Sequence, residues 1–251
     1  MPVYRLQLTC IMTNEFRAVF LVAVTLLALV SAEVEDDFVV SARAEANEFM
    51  DNLLEMQLPR LVKDRVERLR DFSFEIPKKL LGGIIPTHRD IQANFSQGIL
   101  TGLFSVRRKG DCKPVFRDGH FAVISCALDI ESLKAMYASS VKGFNLLGDV
   151  AHPTIWVYCK GPSLNFEAKQ PIPGYNRPLL NALTVDTTNC NASYAPLGFN
   201  AERNKLFRER ILRNTLPQML DLINTRLYQV LQDSLRQEGV TLPEIRTEES
   251  H

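Results

Sequence analysis

The sequence predicts an α+β fold: a long curved antiparallel sheet wrapped around long N- and C-terminal amphipathic helices, in a single elongated domain. Three observations predict it. Apolar residues recur at three- and four-residue steps near both ends of the 251-residue chain. Between them the period switches to two. No segment of crossover length separates the alternating runs, so consecutive strands must be antiparallel. A hydrophobic share of 46% and a charged share of 23% are those of a folded domain and exclude a disordered or collagen-like chain. With 29 basic and 29 acidic residues there is no basic excess to hold a polyanion, so no nucleic-acid partner is expected.

The first element is a secretory leader over residues 1–32. Arg5 and Arg17 supply positive charge, Ala18 to Val30 is an uncharged apolar run, and Val30-Ser31-Ala32 offers the small residues of a cleavage site. The run is shorter than the roughly 20 residues that span a bilayer, so no transmembrane segment is expected. Met12 is an alternative start that gives a shorter leader. Cleavage after Ala32 takes away two basic residues and one acidic one, leaving 27 against 28. The mature chain is then extracellular, with a wrapped domain over 33–237 and a polar tail over 238–251.

From Ser41 to Arg70 the pattern is helical. Phe49, Leu53, Val62 and Val66 lie on the apolar face, charges fill the other, and Pro59 is expected to kink or split the run. Alternating runs follow at Phe72–Ile76, Ile91–Phe95, Leu100–Val106 (Phe104 facing inward), Phe121–Asp129 and Leu133–Val141. Thr154 to Ala168 reads as a hairpin turning at Gly161-Pro162. It puts Ile155, Val157 and Cys159 opposite Ala168, Phe166 and Leu164, and leaves Trp156 and Tyr158 on a solvated face. Leu180 to Asp186 is the last strand expected. A second helix runs from Ala201 to Leu235, with Leu212, Leu216, Leu220 and Ile223 in its apolar stripe and Pro217 inside it. The strings Leu58-Pro59-Arg60-Leu61 and Leu216-Pro217-Gln218-Met219 are alike.

Four cysteines remain after the leader, and an exported chain predicts two disulfides among three possible pairings. A three-residue loop closing at Arg117 and Phe121 places Cys112 opposite Cys126, leaving Cys159 to pair with Cys190. The spacings contain no Cys-x-x-Cys and no nearby histidine, so no metal is expected. Asn94 and Asn191 head glycosylation sequons.

The order of leader, helix, curved antiparallel sheet and long C-terminal helix resembles the tubular lipid-binding superfamily, which includes bactericidal/permeability-increasing-like, takeout and juvenile-hormone-binding proteins. The segment Gly102-Leu103-Phe104-Ser105-Val106-Arg107-Arg108-Lys109-Gly110-Asp111 is similar to a strand of mite group-seven allergens. Takeout-like proteins carry a cysteine pair near the mature N-terminus. None occurs here before Cys112, which sets the chain closer to the mite type. The resemblance implies a non-catalytic binder of lipid or another apolar small molecule in an internal tunnel.

The sequence has no Gly-x-Ser-x-Gly elbow, His-Glu-x-x-His, phosphate loop or dinucleotide glycine run, so neither catalysis nor a cofactor is expected. The internal histidines His88, His120 and His152 sit by turn residues and read as solvated. Two basic clusters, Arg107, Arg108, Lys109 and Lys113, and Arg203, Lys205, Arg208, Arg210 and Arg213, either dock anionic lipid or glycolipid headgroups or simply solvate a face. The ligand-contact candidates are Phe49, Leu53, Val62, Val66, Phe104, Val157, Phe166, Leu212, Leu216, Leu220 and Ile223. The alternative function is an extracellular interaction module with a filled core, recognising protein or bacterial glycolipid through Trp156, Tyr158 and the first basic cluster.

Overall fold

The computed structural model describes residues 38–62, 65–78, 80–81, 85–86, 89–173 and 176–245. The leader over 1–32, His88 and His251 lie outside the described residues. Helix α1 covers 38–61 and buries Met50, Leu53, Leu54 and Leu58. It widens to a π turn over Leu53–Gln57, next to Pro59, whose missing amide and bulky ring do not fit a regular turn. The helix ends at Leu61, and Val62 is already extended, with ψ 99°. The helical expectation through Arg70 is therefore corrected: Val66–Leu69 is strand β1. A spacing of four residues between Val62 and Val66 fits a helix face, but Leu69 inward with Val66 and Arg68 outward also fits a strand, and pairing with a long neighbour decides it.

The remaining strands are β2 (Phe72–Ile76), β3 (Leu80–Leu81), β4 (Ile85–Pro86), β5 (Ile91–Thr101), β6 (Val106–Arg108), β7 (Phe116–Asp118), β8 (Phe121–Ile130), β9 (Ser132–Lys142), β10 (Val150–Ala151), β11 (Thr154–Pro171) and β12 (Leu179–Ser193). Among the described residues, β3 and β4 pair with each other, and the other ten form one antiparallel sheet. Those ten reduce to five rails in chain order. The rails are β1 with β2; β5 with β6 and β7; β8 with β9; β10 with β11; and β12. The third rail shows this plainly. Phe121 pairs with Pro171, Ser132 with Lys160 and Ala138 with Thr154, so β8 and β9 lie end to end along the whole of β11.

The hairpin expected at Gly161-Pro162 is thus a correction: β11 runs straight through it. Gly161, with φ 49°, makes a bulge, because the third rail continues past it and holds both halves in line. The inward set changes parity there, from Ile155, Val157 and Cys159 to Leu164, Phe166 and Ala168. The third rail changes in step, from Ile124, Cys126, Leu128 and Ile130 to Leu133, Ala135 and Tyr137. Gly102–Ser105 breaks the second rail at the same level, and the pairing of β12 shifts between Thr187 and Asn189. One line of irregularities crosses four rails, and it marks where the sheet bends.

Helix α2 comprises Ala201–Leu222, a π turn at Ile223–Leu227 and Tyr228–Leu235, capped at its start by Asn200, whose side chain accepts the Arg203 amide at 2.9 Å. It packs on β2 and β12, the first and last rails. Flat rails would hold those edges about 19 Å apart, against a helix roughly 10–12 Å across, so contact with both requires curvature. Side chains of α2 also complete edge hydrogen bonds. The Arg70 amide donates to Gln218 Oε1 at 2.6 Å and Gln218 Nε2 donates back to the Arg70 carbonyl at 3.3 Å. On the opposite edge the Leu180 amide donates to Gln232 Oε1 at 3.1 Å, and the Tyr228 hydroxyl donates to the Leu180 carbonyl at 3.0 Å. Exposed strand edges invite unwanted pairing, and here one helix shields both. Helix α1 packs its last turn on the end of α2.

Both expected disulfides form, Cys112 with Cys126 as the ladder argument places them and Cys159 with Cys190 as the remaining pair. The loop count differs: Asp118 pairs with Phe121, a two-residue turn, and the register reaches the Cys112–Cys126 alignment by Lys113, whose amide donates to the Ser125 carbonyl at 3.0 Å. The last strand is longer than expected. The start of the tail is not free either: Leu242 is buried and its amide donates to Gln170 Oε1 at 2.7 Å.

Candidate functional site

The candidate site is an apolar groove of 390 Å³ where the end of α1 meets the bend in the sheet. Leu58 and Pro59 supply its helical wall, Val62 the extended residue just past the helix, Val66 the first rail, and Thr101, Gly102, Phe104 and Ser105 the end and break of the second, with Arg65 also lining it. The break is built on Gly102. Its φ is 85°, and a Cβ there would lie 1.8 Å from the Ser132 carbonyl oxygen, so no side chain fits. The turn then closes with the Ser105 amide on the Gly102 carbonyl at 3.0 Å, and the Glu131 amide on the Ser105 carbonyl at 3.0 Å ties it to the third rail. Phe104 is presented by this turn and not by a strand face, which corrects the expectation for it. Val66 is 47% exposed, a large apolar side chain left open on a strand that could have carried a polar one.

The structure thus brings Val62, Val66 and Phe104 together. Phe49 and Leu53 line a second groove, of 320 Å³, with Met56 and Val240. Val157, Phe166 and Ile223 are fully buried core. Leu212, Leu216 and Leu220 are half-buried flanks of α2, not its deepest face. That face is Phe207, Ile211, Thr215, Met219, Ile223, Leu227 and Leu231, a strict step of four hidden in the sequence by the polar Thr215. Asn94 and Asn191 are exposed on their strands.

Elsewhere the space between α2 and the sheet is filled by rings. Phe72 stacks on Phe95 at 4.4 Å and meets Tyr137 edge-on at 5.1 Å, while Phe74 and Tyr194 meet Phe207 edge-on at 5.3 and 5.1 Å. Tyr137 Oη and Thr215 Oγ1 are buried here as neighbours, without a hydrogen bond of ordinary geometry. Burial pushes the Tyr137 phenol up to about 12.

The basic clusters have internal partners. Arg108 holds Asp51 of α1 with two bonds, 3.0 and 2.8 Å, and this pairing raises its pKa. Arg107 pairs with Glu131 at 3.2 Å, and Lys109 reaches Ser163 at 3.4 Å. In the second cluster Arg203 is buried, donates to the Arg89 carbonyl at 2.7 Å and has its pKa lowered by desolvation. Lys205 pairs with Glu209 at 3.9 Å. The Asp51–Arg108 link, which fixes α1 against the sheet, escaped sequence reasoning because its partners are 57 residues apart. Among the described residues no cluster of His, Cys, Asp and Glu could hold a metal ion, and no helix is long and apolar enough to cross a membrane.

No family model matches the chain. A salivary anticoagulant protein, P23 of Ixodes scapularis, is 30% identical over 125 residues, which is 47% of this chain and 53% of the relative; the chain matches about half the length of that protein. A crystal structure of lipopolysaccharide binding protein matches 74% of this chain and 39% of its own, with 14% identity and a TM-score of 0.39. Takeout 1 of Epiphyas postvittana matches 75% of this chain and 85% of its own, with 14% identity and a TM-score of 0.31. The fold itself rests on the rails and their pairing.

Proposed function

We propose that this chain is a secreted, non-catalytic binder of lipid or another apolar small molecule, and that the ligand lies in the groove between Leu58, Val62, Val66 and Phe104. One observation carries the reading: a largely apolar groove of 390 Å³, within the range of small-molecule sites, is held open by a glycine-dependent turn at the bend of the sheet. Arg65 lines the same groove and suits a ligand with an acidic head. The wrapped arrangement of a single domain over 33–237 and the removal of residues 1–32 belong to the same proposal, as does glycosylation at Asn94 or Asn191. In this reading the interior is an open-sided groove where the sequence suggested a closed tunnel.

The test is uptake of a fluorescent fatty acid. Wild-type protein is expected to take up the probe, and Val66→Asp to lose uptake at an unchanged melting temperature. Equal uptake by the variant would remove the groove from consideration. No uptake by the wild type, with no lipid co-purifying on mass spectrometry, would leave the alternative of a surface interaction module. Trp156 and Tyr158 favour that alternative: they stack at 6.1 Å on the outer face, 36% and 39% exposed.

A further inference from the structure

The most exposed large apolar side chains of the described residues are neighbours. Leu146 is 73% and Leu147 84% exposed, at the tip of the loop that leaves β9 after Lys142. The loop is braced by its own bonds. Asn145 Oδ1 accepts the amides of Gly148 and Asp149 at 3.0 and 3.3 Å, and Asn145 Nδ2 donates to Asp149 Oδ2 at 2.8 Å. Its base is pressed on the neighbouring connection, since a Cβ at Gly143 would lie 1.8 Å from the Asp90 carbonyl oxygen. The Arg89 guanidinium lies over Gly148, where a Cβ would meet Nη1 at 2.7 Å. Lys78, Arg89 and Lys142 line one recess of 490 Å³ with Leu146. The acidic groups there are Asp90, whose Oδ1 accepts the Lys78 amide at 2.7 Å, and Asp149, already bonded to Asn145. The β3–β4 ribbon leaves the sheet at this same end, between Ile76 and Ile91, which pair.

We propose that this tip docks the protein on an anionic lipid bilayer, with Leu146 and Leu147 entering the acyl boundary and Lys78, Arg89 and Lys142 meeting the headgroups. Two aliphatic side chains at the point of a braced loop form a convex probe, too small for a stable protein interface of roughly 1,000 Å² or more. A deformable bilayer needs no matching concavity, and cations at the base of an apolar tip complement an anionic surface. The inference does not depend on the groove.

The experiment is sedimentation of the full chain with phosphatidylcholine vesicles, with and without phosphatidylserine. Wild-type protein is expected to sediment with the mixed vesicles. The double variant Leu146→Asp, Leu147→Asp should bind at least about tenfold more weakly at an unchanged melting temperature, because burying a Leu side chain is worth that much. The triple variant Lys78→Gln, Arg89→Gln, Lys142→Gln should lose only the preference for phosphatidylserine. Leu147→Trp in a Trp156→Phe background provides a second reading that needs no loss of function: its fluorescence should shift to the blue on vesicle addition and be quenched by brominated acyl chains. Wild-type protein that binds neither vesicle, a double variant that binds as wild type, or no quenching of Leu147→Trp would each overturn the proposal. So would self-association or protein capture that needs the two leucines in the absence of vesicles, since the tip would then be a protein interface.

Discussion

Two regions of the interior, one around Phe207 and one at the bend of the sheet, are used in opposite ways. Around Phe207 the interior is closed by interlocking rings from the first three rails. At the bend, a few residues further along the same rails, α1 stops, the second rail breaks at Gly102, and Val66 and Phe104 are left bordering open space. The difference teaches that cohesion and an accessible apolar surface need not compete when they are separated along the rails. The filled end carries the stability, and the bend can afford to stay open.

The sharpest way to break this comparison is to exchange the costs. Phe207→Ala should destabilise the protein by about 3–5 kcal/mol, the range for truncating a buried aromatic residue. Phe104→Ala in the groove should cost much less, and denaturant midpoints for the two would measure the gap. Equal losses would mean that the groove is ordinary core. Replacing Cys159 and Cys190 by alanine removes the tie between the last two rails and should cost about 2–4 kcal/mol, again by denaturation.

Alkaline titration sharpens the same contrast. The buried Tyr137 phenol is pushed up to about 12, so the folded protein holds that proton more tightly than the unfolded chain, whose ordinary value is 10.0. Its contribution is fully present below pH about 10 and is lost as pH rises through about 12, on the order of 2 kcal/mol. Tyr137→Phe should flatten that fall in melting temperature; an unchanged profile would show that other groups control it. The smallest effect expected is Gln218→Ala, at about 1 kcal/mol, because the Arg70 backbone groups it satisfies can turn to water.

Much of this architecture is legible in the chain. Alternating runs in sequence order dictate an antiparallel sheet, and cysteines that face each other across a ladder dictate their own pairing. What misleads is local grammar that a long neighbour overrules. Gly161-Pro162 reads as a turn, and so it would be in an isolated peptide, but β8 and β9 template both sides of it. Val62 and Val66 fit a helical step, yet the helix ends at Leu61 and β5 offers Val66 a partner strand. The expected stripe of α2 shares Ile223 with the inward line, but Leu212, Leu216 and Leu220 only flank that line, which passes through the polar Thr215. The groove was legible only in parts. Val62, Val66 and Phe104 stand out as apolar, but their meeting depends on a bend created jointly by Gly102, Glu131 and Gly161, which no single segment encodes.

The most direct measurement is photocrosslinking with a diazirine fatty acid, followed by peptide mapping. Label is expected on the peptides that carry Leu58 to Val66 and Thr101 to Ser105, competed away by unlabelled fatty acid. Label confined to the outer face around Trp156 and Tyr158, or label that competition does not reduce, would contradict an apolar ligand seated at the bend.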